Sequence, residues 1–337
     1  MRIFSGIQPT GRKHLGNYIG AIRQYVEGQE RGDPAIYCIV DLHATSVSYD
    51  PKALPGYVLD TAAMLLAAGL DPSRCILFRQ SDVKEHTELC WLLCAVTAYG
   101  DLQRMHQFKD KSARERDLVR ASLFLYPVLQ AADILAYKTD EVPVGDDQRQ
   151  HLELAREIAR RFNATYGELL VVPEHRIPEV GARIMDLQDP TAKMSTTYGS
   201  EQGLVYVDDE AAAIRKKVRS AVTDSGTDVV RAPEKPGISN LVEVLSVARG
   251  AEPEQIEREF QGQGYGAFKA AVADAVVDFL APVRERYLSL RPEEGALEAT
   301  LREGADRARS IASETVGEAR EAMGVGGLVG APSHRPG

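Results

Sequence analysis

The sequence predicts an α/β fold: a doubly wound parallel sheet, followed by an all-helical region that begins near residue 208. Three observations predict it. Short apolar runs rich in β-branched and aromatic residues occur in the first 80 residues, helical periodicities separate them, and strand signals nearly vanish after Asp208. The first strand, 2–8, runs into Pro9-Thr10-Gly11 and then into a periodic helix from about His14. Residues 35–40 and 75–78, bounded by Asp33-Pro34 and Asp71-Pro72, read as buried parallel strands. Helical spacing covers 54–70, 83–98, 123–137 and 146–162 between and after them. Downstream, 208–224, 239–249, 253–260, 265–290 and 294–323 read as helices, broken by Pro233, Pro236-Gly237 and Gly262-Gln263-Gly264. We therefore expect a catalytic domain over 1–200, a helical domain over 201–324, and a flexible tail over 325–337, where Gly, Pro and Ser accumulate. No internal repeat is seen.

Composition sets independent limits. A chain of 337 residues that is 44% hydrophobic and 26% charged is ordinary for a globular protein with two cores. No stretch approaches the roughly 20 apolar residues needed to span a bilayer, and the first residues lack a signal-peptide pattern, so a cytoplasmic, non-membrane protein is expected. Four cysteines, Cys38, Cys75, Cys90 and Cys94, fit a reducing compartment. Cys90 and Cys94 share a helix face, but no further His or Cys pair completes a tetrahedral set, so they read as core thiols and no protein-held metal is expected. The net charge of −9 argues against a general nucleic-acid binder, yet basic residues concentrate over 104–120 and in Arg215-Lys216-Lys217-Val218-Arg219. Each run suits either a phosphate backbone or a solvated helix face.

The junction after the first strand carries the most chemistry. Glycines at 6, 11, 16 and 20 permit tight turns and close ligand approach, while the helix start aims unpaired N–H groups and a positive dipole end at the same place. Glycines in such turns also serve packing alone, but an anion, above all a nucleotide phosphate, fits best. The words GIQPTGRKHLGNYIGA resemble the first signature of class I aminoacyl-tRNA synthetases, with the HIGH element at His14-Leu15-Gly16-Asn17, in the form typical of the tryptophanyl enzymes. Lys193-Met194-Ser195-Thr196-Thr197, after Arg183-Ile184-Met185 and Asp189-Pro190-Thr191, resembles the second signature, the KMSKS loop. Segments 126–133, 142–148 and 221–225 resemble the same family in order, and the resemblance runs from residue 2 to about 324.

That resemblance implies a Rossmann-like catalytic sheet and a set of roles. His14, Asn17, Lys193 and Ser195 would act in catalysis. Gln8, Pro9, Thr10, Gly16, Asn17, Gly145, Asp146, Asp147, Ile184, Lys193, Met194, Ser195, Thr196 and Thr197 would line the ATP site. Phe4, Val40, His43, Tyr126, Gln130, Asp133, Val142, Val144 and Gln148 would hold tryptophan, with Tyr126 and Gln148 at the α-ammonium. Asp133 lies in an otherwise apolar helix, where a carboxylate needs a donor; in the family it accepts the indole N–H. ATP with Mg²⁺ is the implied co-substrate, tRNA(Trp) the partner, and a homodimer through 101–111 the assembly, with Gln107-Phe108-Lys109 near the tRNA acceptor arm.

Two positions depart from the family. Thr196 replaces the second KMSKS lysine, with Thr197 for the last serine, which removes a preorganised positive charge. Gln130 stands where bacterial members usually carry methionine, so altered handling of tryptophan analogues is expected. Together these departures suggest an auxiliary form of the enzyme. The alternatives are a tyrosyl-tRNA synthetase and a tryptophan-binding paralogue that forms no adenylate.

Overall fold

The structure is a computed structural model, and it describes residues 1–106, 118–143, 148–176, 183–196 and 199–326. Five strands are present among the described residues: β1 Ile3–Ile7, β2 Ala35–Ile39, β3 Cys75–Arg79, β4 Glu141–Pro143 and β5 Glu174–Arg176. They form one all-parallel sheet in the order β3-β2-β1-β4-β5. The helices, in chain order, are α1 Leu15–Asn17, α2 Arg23–Glu30, α3 Asp41–Ala44, α4 Leu54–Ala68, α5 Glu85–Cys94, α6 Tyr99–Gln103 and α7 Ala121–Leu135. They continue with α8 Arg149–Tyr166, α9 Ala211–Arg219, α10 Pro236–Arg249, α11 Pro253–Glu259, α12 Gly264–Leu290 and α13 Glu294–Met323. A π-helical turn, Tyr18–Ile22, joins α1 to α2, the kind of local irregularity that recurs near functional sites.

The expected strands at the front of the chain form, because apolar runs of that length suit a sheet covered on both faces. β4 and β5 lay beyond the pattern: they are three residues each, and Glu141, Glu174, His175 and Arg176 break any apolar run. The expected helix 146–162 is observed as α8, starting at Arg149; its first two expected residues lie outside those described. The expected helix 208–224 is shorter, ending at Arg219, and the expected tail from 327 on is likewise outside the described residues.

Alternation along the strands sorts the core into two clusters. Ile3, Ala35, Tyr37, Ile39, Cys75 and Leu77 face one side, where they meet α2, α4 and α12. Phe4, Ile36, Cys38, Val40 and Phe78 face the other, against α5, α7, α8 and α13. Both clusters include residues from beyond position 200: Leu204 to Leu301 join the first, and Ala305 to Ala319 the second.

The last helix holds the β3 edge. Gly304 of α13 lies so close that a Cβ there would stand 1.9 Å from the Leu77 carbonyl oxygen. Arg307 also donates to the carbonyls of Pro72 and Cys75, at 2.7 and 3.0 Å, satisfying the edge. Gly304→Ala should therefore destabilise the protein by about 1–3 kcal/mol in urea unfolding, by overpacking against backbone that has no rotamer to change. In the same helix Gly317 is exposed with open space around it, so Gly317→Ala should instead stabilise by about 0.5–1 kcal/mol.

Candidate active site

Strand order reverses at β1: the chain moves outward through β2 and β3 on one side, and through β4 and β5 on the other. In open parallel sheets, ligands bind beyond the carboxyl ends of the strands at such a switch point. The residues that leave these ends are Gln8-Pro9-Thr10 after β1, Val40 to His43 after β2, Gln80 after β3 and the segment after Pro143 of β4.

The turn after β1 is closed by two bonds to one carbonyl. Thr10 N–H and the Lys13 ammonium both donate to Gln8 O, at 3.0 and 2.9 Å, and Gly11 adopts φ 66°, a left-handed value that favours glycine. His14 then caps α1 reciprocally with Asn17. The Asn17 N–H donates to His14 Nδ1 and the His14 N–H donates to Asn17 Oδ1, each at 3.2 Å. With Nδ1 accepting, Nε2–H is the donor left to a ligand. Burial, aided by the charges of Lys13 and Lys193, pushes the His14 pKa down to about 4, so the ring is neutral at physiological pH. His14 thus offers a hydrogen bond rather than a charge.

The second loop meets the first through small residues and backbone. A Cβ on Gly16 would lie 3.1 Å from His14 Nδ1 and 3.5 Å from Met194 Cβ, so the absent side chain lets the two segments touch. Met194 is buried and donates its N–H to Ile184 O, while Met185 and Lys193 form an isolated bridge. Residues 205–209 lock this arrangement: Leu15 N–H donates to Val205 O at 2.7 Å, Val207 N–H to Lys13 O at 2.9 Å, and Arg12 pairs with Asp208 and Asp209. Lys193 is exposed and makes no ion pair among the described residues; Ser195 and Thr196 are half-buried beside it. The expected residues Gly145, Asp146, Asp147, Val144 and Thr197 lie outside the described residues.

α7 presents Tyr126, Gln130 and Asp133 at helical spacing, with Pro127 inside the helix removing one backbone donor between them. Asp133 is buried and surrounded by donors. Gln80 Nε2 lies 2.8 and 2.9 Å from its two oxygens and His43 Nε2 lies 2.9 Å from Oδ2, while His86 Nδ1 lies 2.7 Å from Oδ1 without forming a hydrogen bond. Burial by itself would raise the Asp133 pKa, but His86 and His43 outweigh it and hold the carboxyl near 2, so it stays ionised. The His43 ring packs on Tyr126 at 4.2 Å between centroids, and Tyr126 OH accepts from Gln8 Nε2 at 2.9 Å. One continuous chain of contacts therefore joins Asp133, His43 and Tyr126 to the turn after β1. Gln130 Nε2 donates to Gln148 Oε1 at 3.4 Å, and His151 Nδ1 lies 3.3 Å from the same oxygen. Phe4, Val40 and Val142 are buried at the base of this region, Phe4 stacking on Tyr137 at 5.6 Å.

Four residues of the site were not among those expected: Lys13, Gln80, His86 and His151. Gln80 carried a signal, because it follows β3 directly, as Val40 follows β2. The others carried none. Lys13 is 4% exposed, and burial, partly offset by Asp60, lowers its pKa from 10.5 to about 8. Between pH 8 and 10.5 the unfolded chain binds the extra proton, so stability rises with pH across that window and the cost is fully present below it. Lys13→Met should therefore raise stability by about 1–3 kcal/mol at pH 7, with most of the gain gone at pH 10 when urea midpoints are compared.

Comparison with known proteins agrees with this geometry. The family model for class I tRNA synthetases (W and Y) matches residues 1–281. Tryptophan–tRNA ligase 1 of Streptomyces avermitilis is 49% identical over 328 residues, covering 96% of this chain and 98% of that protein. The tryptophanyl-tRNA synthetase of Mycoplasma pneumoniae superposes with a TM-score of 0.89 at 34% identity, covering 96% of this chain and 98% of that one. The enzyme of Campylobacter jejuni, solved with ADP and tryptophan, superposes with a TM-score of 0.82 at 36% identity, covering 96% of this chain and 100% of that one. With its parallel sheet, its reversal at β1 and both signature loops in contact, the chain belongs to the class I tRNA synthetases of the tryptophan and tyrosine group.

Proposed function

We propose that the chain is a tryptophan–tRNA ligase, which joins L-tryptophan to ATP as tryptophanyl-adenylate and passes the aminoacyl group to the 3′-terminal ribose of tRNA(Trp). The observation that carries this reading is near-full-length identity to tryptophan–tRNA ligases, at 48–49%. The chain of contacts from the β1 turn through Tyr126 and His43 to Asp133 supports it. A tyrosine site needs partners for a phenol; the apolar walls and the Asp133 cluster suit an indole.

Adenylate formation needs no protein nucleophile. The substrate carboxylate attacks the α-phosphate in line, and the protein positions both reactants and disperses charge on the departing pyrophosphate. His14 Nε2–H, the α1 start and Lys193 would serve the phosphates. Gln148 and Tyr126 would meet the α-ammonium, and Asp133, with Gln130, would meet the indole. Mg²⁺ would enter with ATP.

Two further parts of this reading concern assembly. Trp91 on α5, Tyr99 on α6, and Leu118 and Val119 before α7 are large apolar side chains exposed to solvent, and would be covered in a homodimer. Of the basic run on α9, Arg215 is paired with Asp274 and Lys217 with Asp209 and Glu201. Lys216 and Arg219 remain exposed, beside a depression lined also by Ala212 and Ser220, and would contact the tRNA backbone. No helix among the described residues is long and apolar enough to cross a membrane.

Pyrophosphate exchange should depend on tryptophan and not on tyrosine, and Thr196→Lys should raise kcat by roughly 10- to 100-fold with little change in tryptophan KM, by returning a charge to the leaving group. Absence of tryptophan-dependent exchange at every Mg²⁺ concentration would reduce the protein to a binding paralogue. Trp91→Glu should convert the homodimer to monomer in light scattering, because a charge in a buried apolar interface lacks a partner.

A further inference from the structure

One short segment braces the backbone on either side of His14. Leu15 N–H donates to Val205 O and Val207 N–H to Lys13 O, so Tyr206 stands opposite His14 in an isolated bridge. A buried carboxylate fixes that segment in turn. Asp209 is 6% exposed, and donors from three parts of the chain reach its oxygens: Arg12 Nη2 on Oδ1 at 2.9 Å, with Tyr206 N–H and the Lys217 ammonium on Oδ2 at 3.0 and 2.8 Å. Both cations also face the Tyr206 ring, whose centroid lies 4.1 Å from the Arg12 guanidinium carbon and 4.9 Å from Lys217 Nζ.

Stability alone does not account for this hub. Lys217, on α9, is 5% exposed, and a buried ion pair of this kind is often matched or bettered by apolar residues of similar volume. What it contributes here is position. Arg12 lies two residues before His14, Tyr206 lies opposite it, and Lys217 anchors both to α9. Just beyond its last turn, α9 also holds the approach to the Lys193 loop: Val222 N–H donates to Leu187 O at 2.7 Å, and Gln188 Nε2 to Ser220 O at 3.1 Å. A shift of about 1 Å in a group that serves a reacting phosphate costs on the order of 100-fold in rate, even when its cause lies far from the chemistry.

We propose that Asp209 and Lys217 are positioning residues for adenylate formation: the Lys217 ammonium holds the Asp209 carboxylate, which holds Arg12 and Tyr206 and thereby keeps His14 Nε2–H where the phosphates bind. This rests on the adenylation reaction proposed above. Neither residue touches a substrate; both act through the backbone bridge to His14. A cation buried on a helix downstream of both signature loops therefore serves the first of them. Lys217 differs in this from Lys216 and Arg219 on the same helix, which face solvent.

The test is a double-mutant cycle in tryptophan-dependent pyrophosphate exchange, comparing the full-length protein with Lys217→Met, His14→Ala and the double variant, with urea unfolding run on each. The expected result is that Lys217→Met lowers kcat about 10- to 100-fold and leaves tryptophan KM within about twofold. Once His14 is alanine, the same substitution should change kcat by less than about twofold, because residues that act through one another are not additive. A loss that persists in the His14→Ala background would overturn the proposal, as would a loss expressed in tryptophan KM or an unchanged kcat. Should Lys217→Met fail to fold, Asp209→Asn takes its place in the cycle with the same outcomes, since it keeps the shape of the hub and an acceptor for Tyr206 N–H but removes the charge. Absence of exchange by the unsubstituted protein would overturn the adenylation reading and this proposal with it.

Discussion

The reversal of strand order at β1 is the constraint on which the rest depends. Because β2 and β4 flank β1 and their connections run to opposite sides, the carboxyl end of β1 opens into a crevice that neither set of helices covers. Gln8 stands at that opening. Its carbonyl gathers the Lys13 ammonium and the Thr10 N–H, which shapes the turn toward α1, while its side chain reaches Tyr126 on α7. One residue thereby ties the proposed nucleotide half to the proposed amino-acid half. The segment 205–207 then bonds to 13–15 through an isolated bridge, while Met194 packs against the start of α1.

Charge in this crevice is arranged by burial as much as by pairing. His14 is kept neutral by burial and two nearby lysines, whereas Asp133, equally buried, is kept ionised by the two histidines that face it. The difference lies in the neighbours. A carboxylate surrounded by donors keeps its charge and fixes those donors in place; an imidazole beside cations loses its proton and retains only its hydrogen bonds. Lys13 belongs to the same pattern, a cation held out of water beside the turn it braces. A buried cation of this kind costs stability and is tolerated where a fold organises chemistry.

Legibility in the sequence followed the length and polarity of each element. β1, β2 and β3 were readable because a strand buried on both faces must be apolar, and the long helices because α8, α12 and α13 repeat their buried positions at helical spacing. β4 and β5 were not, since three residues with charged side chains carry no periodicity. Within the site, the residues near Gln8, His14 and Lys193 were readable as local words in the chain. The neighbours of Asp133 were not: Gln80 and His86 come from a different strand end and a different helix, and nothing local marks two residues that meet only through packing. The shared cores were equally hidden, because periodicity tells that a helix has an apolar face but not which sheet that face covers.

The seat of α13 against β3 bears on how the protein is made. Gly304 and Arg307 cover a strand edge at Leu77 and Cys75, so on the ribosome that edge is synthesised long before the helix that shields it. Until release, a nascent chain carries unpaired backbone groups of the kind that recruit other strands. Chaperone demand should thus fall on the interval between translation of β3 and completion of α13, and a chain cut before Gly304 would be an aggregation-prone product rather than a shortened enzyme.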